Sequence, residues 1–103
     1  MKFGEVIEAM KENPSRKFAR MGWNGKSTFI YYVPGHKVLA SDWTGAKECI
    51  QHKDVMQDDG VVITEHFVQI RGHIDCKQSD GTVAVGWSAW TPDMLADDWV
   101  EVF

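Results

Sequence analysis

HIDCKQSDGTVAVGW, residues 73–87, reads as two extended runs folded back on each other. Residues 73–77 and 82–87 flank Ser79-Asp80-Gly81, a tight turn in which Gly81 supplies the positive φ that a side chain would resist. A hairpin of this kind forces antiparallel pairing, and the same grammar recurs upstream. Residues 17–22 and 27–33 are extended runs around Asn24-Gly25, a strong two-residue turn signal, and Pro34-Gly35 closes that second hairpin. After Asp58-Asp59-Gly60, residues 61–71 alternate so that Val62, Thr64, His66, Val68 and Ile70 share one face, which predicts a long strand.

Helices are confined to the ends. Phe3, Val6, Ile7 and Met10 fall on one helical face, with Glu5, Glu8, Lys11 and Glu12 on the other, so residues 2–12 form an amphipathic helix. Asn13-Pro14 stops it, since Asn tolerates a left-handed cap and Pro cannot continue the ladder. Thr91-Pro92-Asp93 starts a short helical turn through residue 97, with Thr91 as cap, Pro92 at the first helical position and Asp93 at the positive end of the dipole. A last strand covers residues 99–103. Residues 36–59 stay ambiguous: Asp42-Trp43-Thr44-Gly45 is either a turn or the lead into a short helix over residues 46–52. The fold class is α+β, an antiparallel sheet of hairpins with an N-terminal amphipathic helix and a short C-terminal helical turn. A chain of 103 residues suits one domain.

A hydrophobic share of 44% with 25% charged residues is ordinary for a globular protein and argues against disorder. The net charge of −4 provides no positive field for a nucleic-acid backbone, so duplex DNA or RNA is not an expected partner. An anionic ligand must instead meet local donors such as Arg20, Lys26, Arg71 or Lys77, or backbone N–H groups. No apolar run reaches the length of a membrane helix, and the first residues lack a secretory apolar core. A soluble, cytoplasmic protein with Cys49 and Cys76 reduced is the expectation.

The chemistry-bearing residues are mostly aromatic. Trp23, Trp43, Trp87, Trp90 and Trp99 are each suited to core packing or to stacking on a base. Trp87 and Trp90, three residues apart at a strand-to-helix junction with Ser88 between them, could line a cleft, and Trp23 is similarly placed beside a turn. His73 and Asp75 share one side of a strand and fit a hydrogen-bonded structural or ligand-contacting pair. The four histidines show no short paired spacing of a zinc site, and no metal or cofactor is expected. Asp93 and Asp97 fall on one helical face; either Asp93 is a cap with Asp97 and Asp98 solvated, or one of the three, beside an aromatic platform, accepts hydrogen bonds from ribose hydroxyls. No phosphate loop, nucleophile elbow or dinucleotide fingerprint is present, so catalysis has no specific motif behind it.

Three segments carry a family resemblance: MKFGEVIEAMKENPSRKFARMGWNGK at the start, HIDCKQSDGTVAVGW in the middle and TPDMLADDWVEVF at the end. Together they resemble, in order and over about half of the chain, the small phage-encoded Thoeris anti-defence proteins of the second type. The resemblance implies a homo-oligomer, typically a tetramer, with pockets shared between protomers. It also implies binding of glycocyclic ADP-ribose, the messenger of the Thoeris TIR enzyme, without cleavage, and in some members of cyclic dinucleotides at a separate site. Carried onto this chain, Trp23 or Trp87 stacks on adenine, Asn24 and Asp93 bond ribose or base edges, and Arg20, Lys26 or Lys77 meets the pyrophosphate. Trp23, Asn24, Asp93 and Trp99 match the family motifs best. Two departures stand out: the stretch between Val33 and His73 is longer than in compact members, and Trp90 is additional. Rival readings are an enzyme that degrades the same messenger and a toxin-like interaction protein of a toxin–antitoxin pair.

Overall fold

A computed structural model describes residues 1–23 and 27–103, which form two compact units. The first takes residues 1–34 and 72–103 and the second residues 35–71. The fold is α+β, with every strand pairing antiparallel.

In the first unit, helix α1 (Phe3–Glu12) lies N-terminal to strands β1 (Lys17–Arg20) and β2 (Phe29–Val33). Helix α1 is started by Glu5, whose carboxylate accepts the Lys2 N–H at 3.0 Å and faces the positive end of the dipole. Its end departs from the expected left-handed cap: Asn13 is extended at φ −140° and its side-chain oxygen accepts the Ser15 N–H and hydroxyl. That local turn satisfies the chain without a left-handed residue. The expected turn at Asn24-Gly25 lies outside the described residues, but β1 and β2 are paired as predicted, Phe18 opposite Ile30.

Gly72 leads back into this unit at β6 (His73–Lys77) and β7 (Val83–Ala84), joined by the predicted turn. Gly81 has φ +90°, and Asp80 Oδ1 accepts both the N–H and the hydroxyl of Thr82. Strand β7 is shorter than its sequence suggests. Gly86, at φ +75°, turns the chain so that its N–H reaches Asp75 Oδ1 at 3.0 Å, while the Trp87 N–H donates to the Ile74 carbonyl at 2.7 Å. A side chain and an out-of-register backbone bond therefore replace the ladder.

Helix α2 (Thr91–Leu95) begins one residue earlier than predicted. Trp90, not Thr91, occupies the cap, and Asp93 Oδ2 accepts its N–H at 3.3 Å. Pro92 sits in the first turn, where no N–H is needed. The helix stops at Leu95, so Asp93 and Asp97 do not share a helical face. Strand β8 (Trp99–Val102) then joins the sheet edge beside β1, giving the order β7-β6-β2-β1-β8.

The core fills one side of this sheet. Direct pairs Phe18 with Ile30 and Ile30 with Cys76 place those side chains on one face, where they meet Val6, Ala9 and Met10 of α1 and the fully buried Trp99. Each large side chain removed from water here contributes about 1.5–3 kcal/mol.

In the second unit, β3 (His36–Leu39), β4 (Gln51–Met56) and β5 (Val62–Ile70) form a three-stranded sheet in the order β3-β5-β4. The long strand is as predicted, and Gly60 at φ +81° makes its turn. The helix weighed for residues 46–52 reduces to a single 3-10 turn at Lys47–Cys49, and another such turn covers Ala40–Asp42. Gln51, Lys53 and Asp54 are weak strand formers, yet pairing with β5 overrides that preference.

Ion pairs at the sheet edge make stability depend on pH. Arg16 grips Glu101 through Nε to Oε2 at 2.9 Å and Nη2 to Oε1 at 2.6 Å, which holds the Glu101 carboxyl below the usual carboxylate range. Asp80 is held down by the bonds from Thr82. A carboxyl whose pKa is lower folded than unfolded adds stability that is fully present above its unfolded value and is lost as pH falls through the folded one. Stability is therefore expected to decline as pH drops below the ordinary carboxylate range. Glu101→Gln combined with Asp80→Asn flattens that decline, which denaturant midpoints measured from neutral to acid pH will check.

Candidate ligand site

The first unit brings four aromatic rings together in one cluster. Trp99 is completely buried, and Phe3 and Trp23 each approach it with ring centroids 5.3 Å away. Trp87 stands 6.3 Å from Trp99 and 6.2 Å from Trp23, edge-on to both. The Trp99 Nε1–H donates to the Asp93 carbonyl at 2.9 Å, which satisfies its one polar atom and ties β8 to α2. Edge-to-face packing of this kind fixes the tilt of rings whose outer surfaces stay partly open.

Trp23 and Trp87 form one wall of a cleft of about 410 Å³, completed by Gly22, Thr28, Cys76, Gln78 and Ser79. It is open and its lining combines indole surface with hydroxyl- and amide-bearing residues, the mixture that small-molecule sites use for stacking and orientation. Trp87 also lines a second cleft of about 380 Å³ together with Lys11, Tyr32, His73 and Ile74. Of the residues singled out at the junctions, Trp23 and Trp87 line clefts, whereas Trp90 lines neither of these two.

The other candidates are distributed as follows. Asn24 and Lys26 lie outside the described residues. Arg20 is forked between two carboxylates, Nε to Asp98 Oδ1 and Nη1 to Asp93 Oδ1, both at 3.0 Å. With its charge engaged this way, Arg20 braces β1 against α2, and Asp93 has one oxygen on Arg20 and the other on the Trp90 N–H. Asp98 is a partner of that fork, not a solvated charge. Trp99, having no exposed surface, offers nothing to a ligand and acts by holding Trp23 and Trp87. His73 and Asp75 do form a pair, Nε2 to Oδ1 at 3.2 Å, and the buried Asp75 also accepts the Gly86 N–H, so it sets the bend that presents Trp87.

Lys77 lies on the opposite face of the sheet from Cys76. Its ammonium donates to the Ser27 carbonyl at 3.0 Å and stands 5.5 Å over the Phe29 ring. Lys17 approaches the same ring at 5.3 Å. These two cations, Phe29 and Tyr31 line a third cleft of about 420 Å³. Burial and the nearby Asp75 and Cys76 push the Tyr31 hydroxyl above its usual pKa, which keeps it a donor. Sequence reading missed Lys17, Phe29 and Tyr31, although residues 17, 29, 31 and 77 share a face once the pairing is known. Ser88 and Trp90 are exposed, Trp90 by 76%. Among the described residues no group of three or more His, Cys, Asp or Glu side chains is placed to hold a metal ion, and no helix is long and apolar enough to cross a membrane.

The class defined by this architecture is a small antiparallel α+β domain with tryptophan-walled clefts. Residues 1–102 match the model of the Thoeris anti-defense 2-like domain, and the chain belongs to that family. Its role is therefore, in the broad sense, Thoeris anti-defence. No curated protein matches the chain.

Proposed function

We propose that this protein binds a cyclic nucleotide messenger of Thoeris, glycocyclic ADP-ribose, and sequesters it uncleaved, so that the effector is never activated. The observation that carries this reading is the cleft between Trp23, Trp87 and the Gln78-Ser79 turn. An indole face accepts adenine, while the side chains of Thr28, Gln78 and Ser79 suit ribose hydroxyls. With Arg20 committed to Asp93 and Asp98, and Lys77 to the other face, Lys26 is the nearest cation in sequence to Trp23 and takes the pyrophosphate.

A ligand of about 35 heavy atoms, at about 0.3 kcal/mol per atom, is bound at best near −10 kcal/mol, or tens of nanomolar. Such affinity suffices for a sponge made in abundance. One protomer encloses too little of a ligand this size, and a homotetramer in which a second copy covers the open side accounts for the rest. The exposed Trp90 suits that role.

Incubating the pure protein with glycocyclic ADP-ribose, denaturing it by heat and chromatographing the supernatant decides the matter. Intact messenger is the expected product. A hydrolysed product sinks the sponge in favour of an enzyme, and growth arrest on expression in cells lacking Thoeris favours a toxin-like role. A second reading, a cyclic dinucleotide on the opposite face, is favoured by the two ammonium groups flanking Phe29, a pairing of cation and aromatic surface that suits phosphate and base together.

A further inference from the structure

The second unit holds a pair of side chains that messenger binding does not use. Strands β4 and β5 are in a register that sets His52 directly opposite His66, so two imidazoles remote in sequence share one face of the sheet. Their Nδ1 atoms are 2.5 Å apart, their ring centroids 4.8 Å apart, and their planes cross at 74°. Both residues are exposed. The next pair on that face is Asp54 opposite Thr64, with the Thr64 hydroxyl donating to Asp54 Oδ1 at 2.7 Å. Lys53 and Glu65 point to the other face, so the formal charge beside the imidazoles is the Asp54 carboxylate.

We propose that His52 and His66 form a two-ligand chelate for a divalent transition-metal ion of the zinc, copper and nickel group, with water completing the shell. Imidazole nitrogen is a preferred donor for these ions. At metal–nitrogen distances of about 2.0–2.1 Å, two nitrogens on one ion stand about 3 Å apart, so the rings need to part by only about half an ångström. Opposed Cβ atoms about 4.5–5.5 Å apart on a paired ladder allow that by rotation of the side chains alone. A hydrogen bond between the two Nδ1 atoms requires one ring to carry its proton there. On metal binding that ring moves its proton to Nε2, so both Nδ1 lone pairs are available to the ion and no net proton is lost.

The experiment uses the full chain carrying Cys49→Ser, because the exposed Cys49 thiol belongs to the same unit and would otherwise compete. Cu²⁺ alone is titrated and followed by calorimetry and by the nitrogen hyperfine pattern of its electron paramagnetic resonance spectrum. Saturable binding of one ion per chain with two equivalent imidazoles is expected. His52→Ala and His66→Ala should each weaken it roughly 100-fold, the advantage lost when one of two linked donors is removed, while His36→Ala leaves it unchanged. Binding that survives both substitutions overturns the proposal. So does loss on only one of them, which describes a single imidazole acting alone. Messenger binding is expected to be the same in all of these variants, so failure here leaves the sponge untouched.

Discussion

Trp99→Ala is expected to cost about 3–5 kcal/mol of unfolding free energy, the range for deleting a large aromatic from a packed core. The side chain is fully buried and is packed by Phe3, Trp23 and Trp87 from three sides. Its removal leaves a cavity that those half-buried rings cannot fill without abandoning α1 and the sheet, and it leaves the Asp93 carbonyl without its donor. Because small domains hold only about 5–15 kcal/mol in all, a large fraction of the stability goes with it. Trp99→Phe keeps one aromatic ring but removes the hydrogen bond and part of the buried indole volume, and a smaller loss of about 1–3 kcal/mol is expected. Urea unfolding followed by circular dichroism measures both. A Trp99→Ala loss below 1 kcal/mol, a value about the size of one hydrogen bond, would falsify the placement of this ring at the centre of the core.

The hairpins were legible because their turns are written in residues with no alternative use. Gly81 adopts the positive φ that its position demanded, and Asp80 makes the bonds that its type suggested. The amphipathic stripe of α1 was equally plain. What failed did so for physical reasons. Residues 51–54 carry four consecutive polar side chains on an exposed strand, so periodicity was silent and only pairing with β5 defines it. The His52 and His66 pair was invisible for the same reason, since cross-strand neighbours have no fixed spacing in sequence. At the site, Trp23 and Trp87 line one cleft, as their places beside a turn and a junction suggest. The ion pairs of Arg20 with Asp93 and Asp98 were not legible, because they depend on β8 lying beside β1, a contact between opposite ends of the chain.

The second large effect is on ligand affinity. Trp87→Ala is expected to weaken glycocyclic ADP-ribose binding roughly 10- to 100-fold, since stacking of one base on an aromatic ring is worth about 1–3 kcal/mol. Trp87 is half-buried, so truncation also loosens the cluster, and affinity lost through general unfolding must be told apart from affinity lost through stacking. Trp87→Phe does so. It retains a stacking face and edge contacts with Trp23 and Trp99, and it should recover most of the binding. Trp90→Ala serves as a contrast: Trp90 is not in the wall of the cleft, and its substitution alters binding only as far as a second protomer uses it to close the open side. Calorimetry together with light scattering on the same samples resolves these cases. If Trp87→Ala binds the messenger as tightly as the parent protein while remaining folded, the cleft between Trp23 and Trp87 is not where the base stacks. The open face with Lys17, Phe29 and Lys77 then becomes the place to look, because two cations and aromatic surface coincide there without Trp87 in the lining.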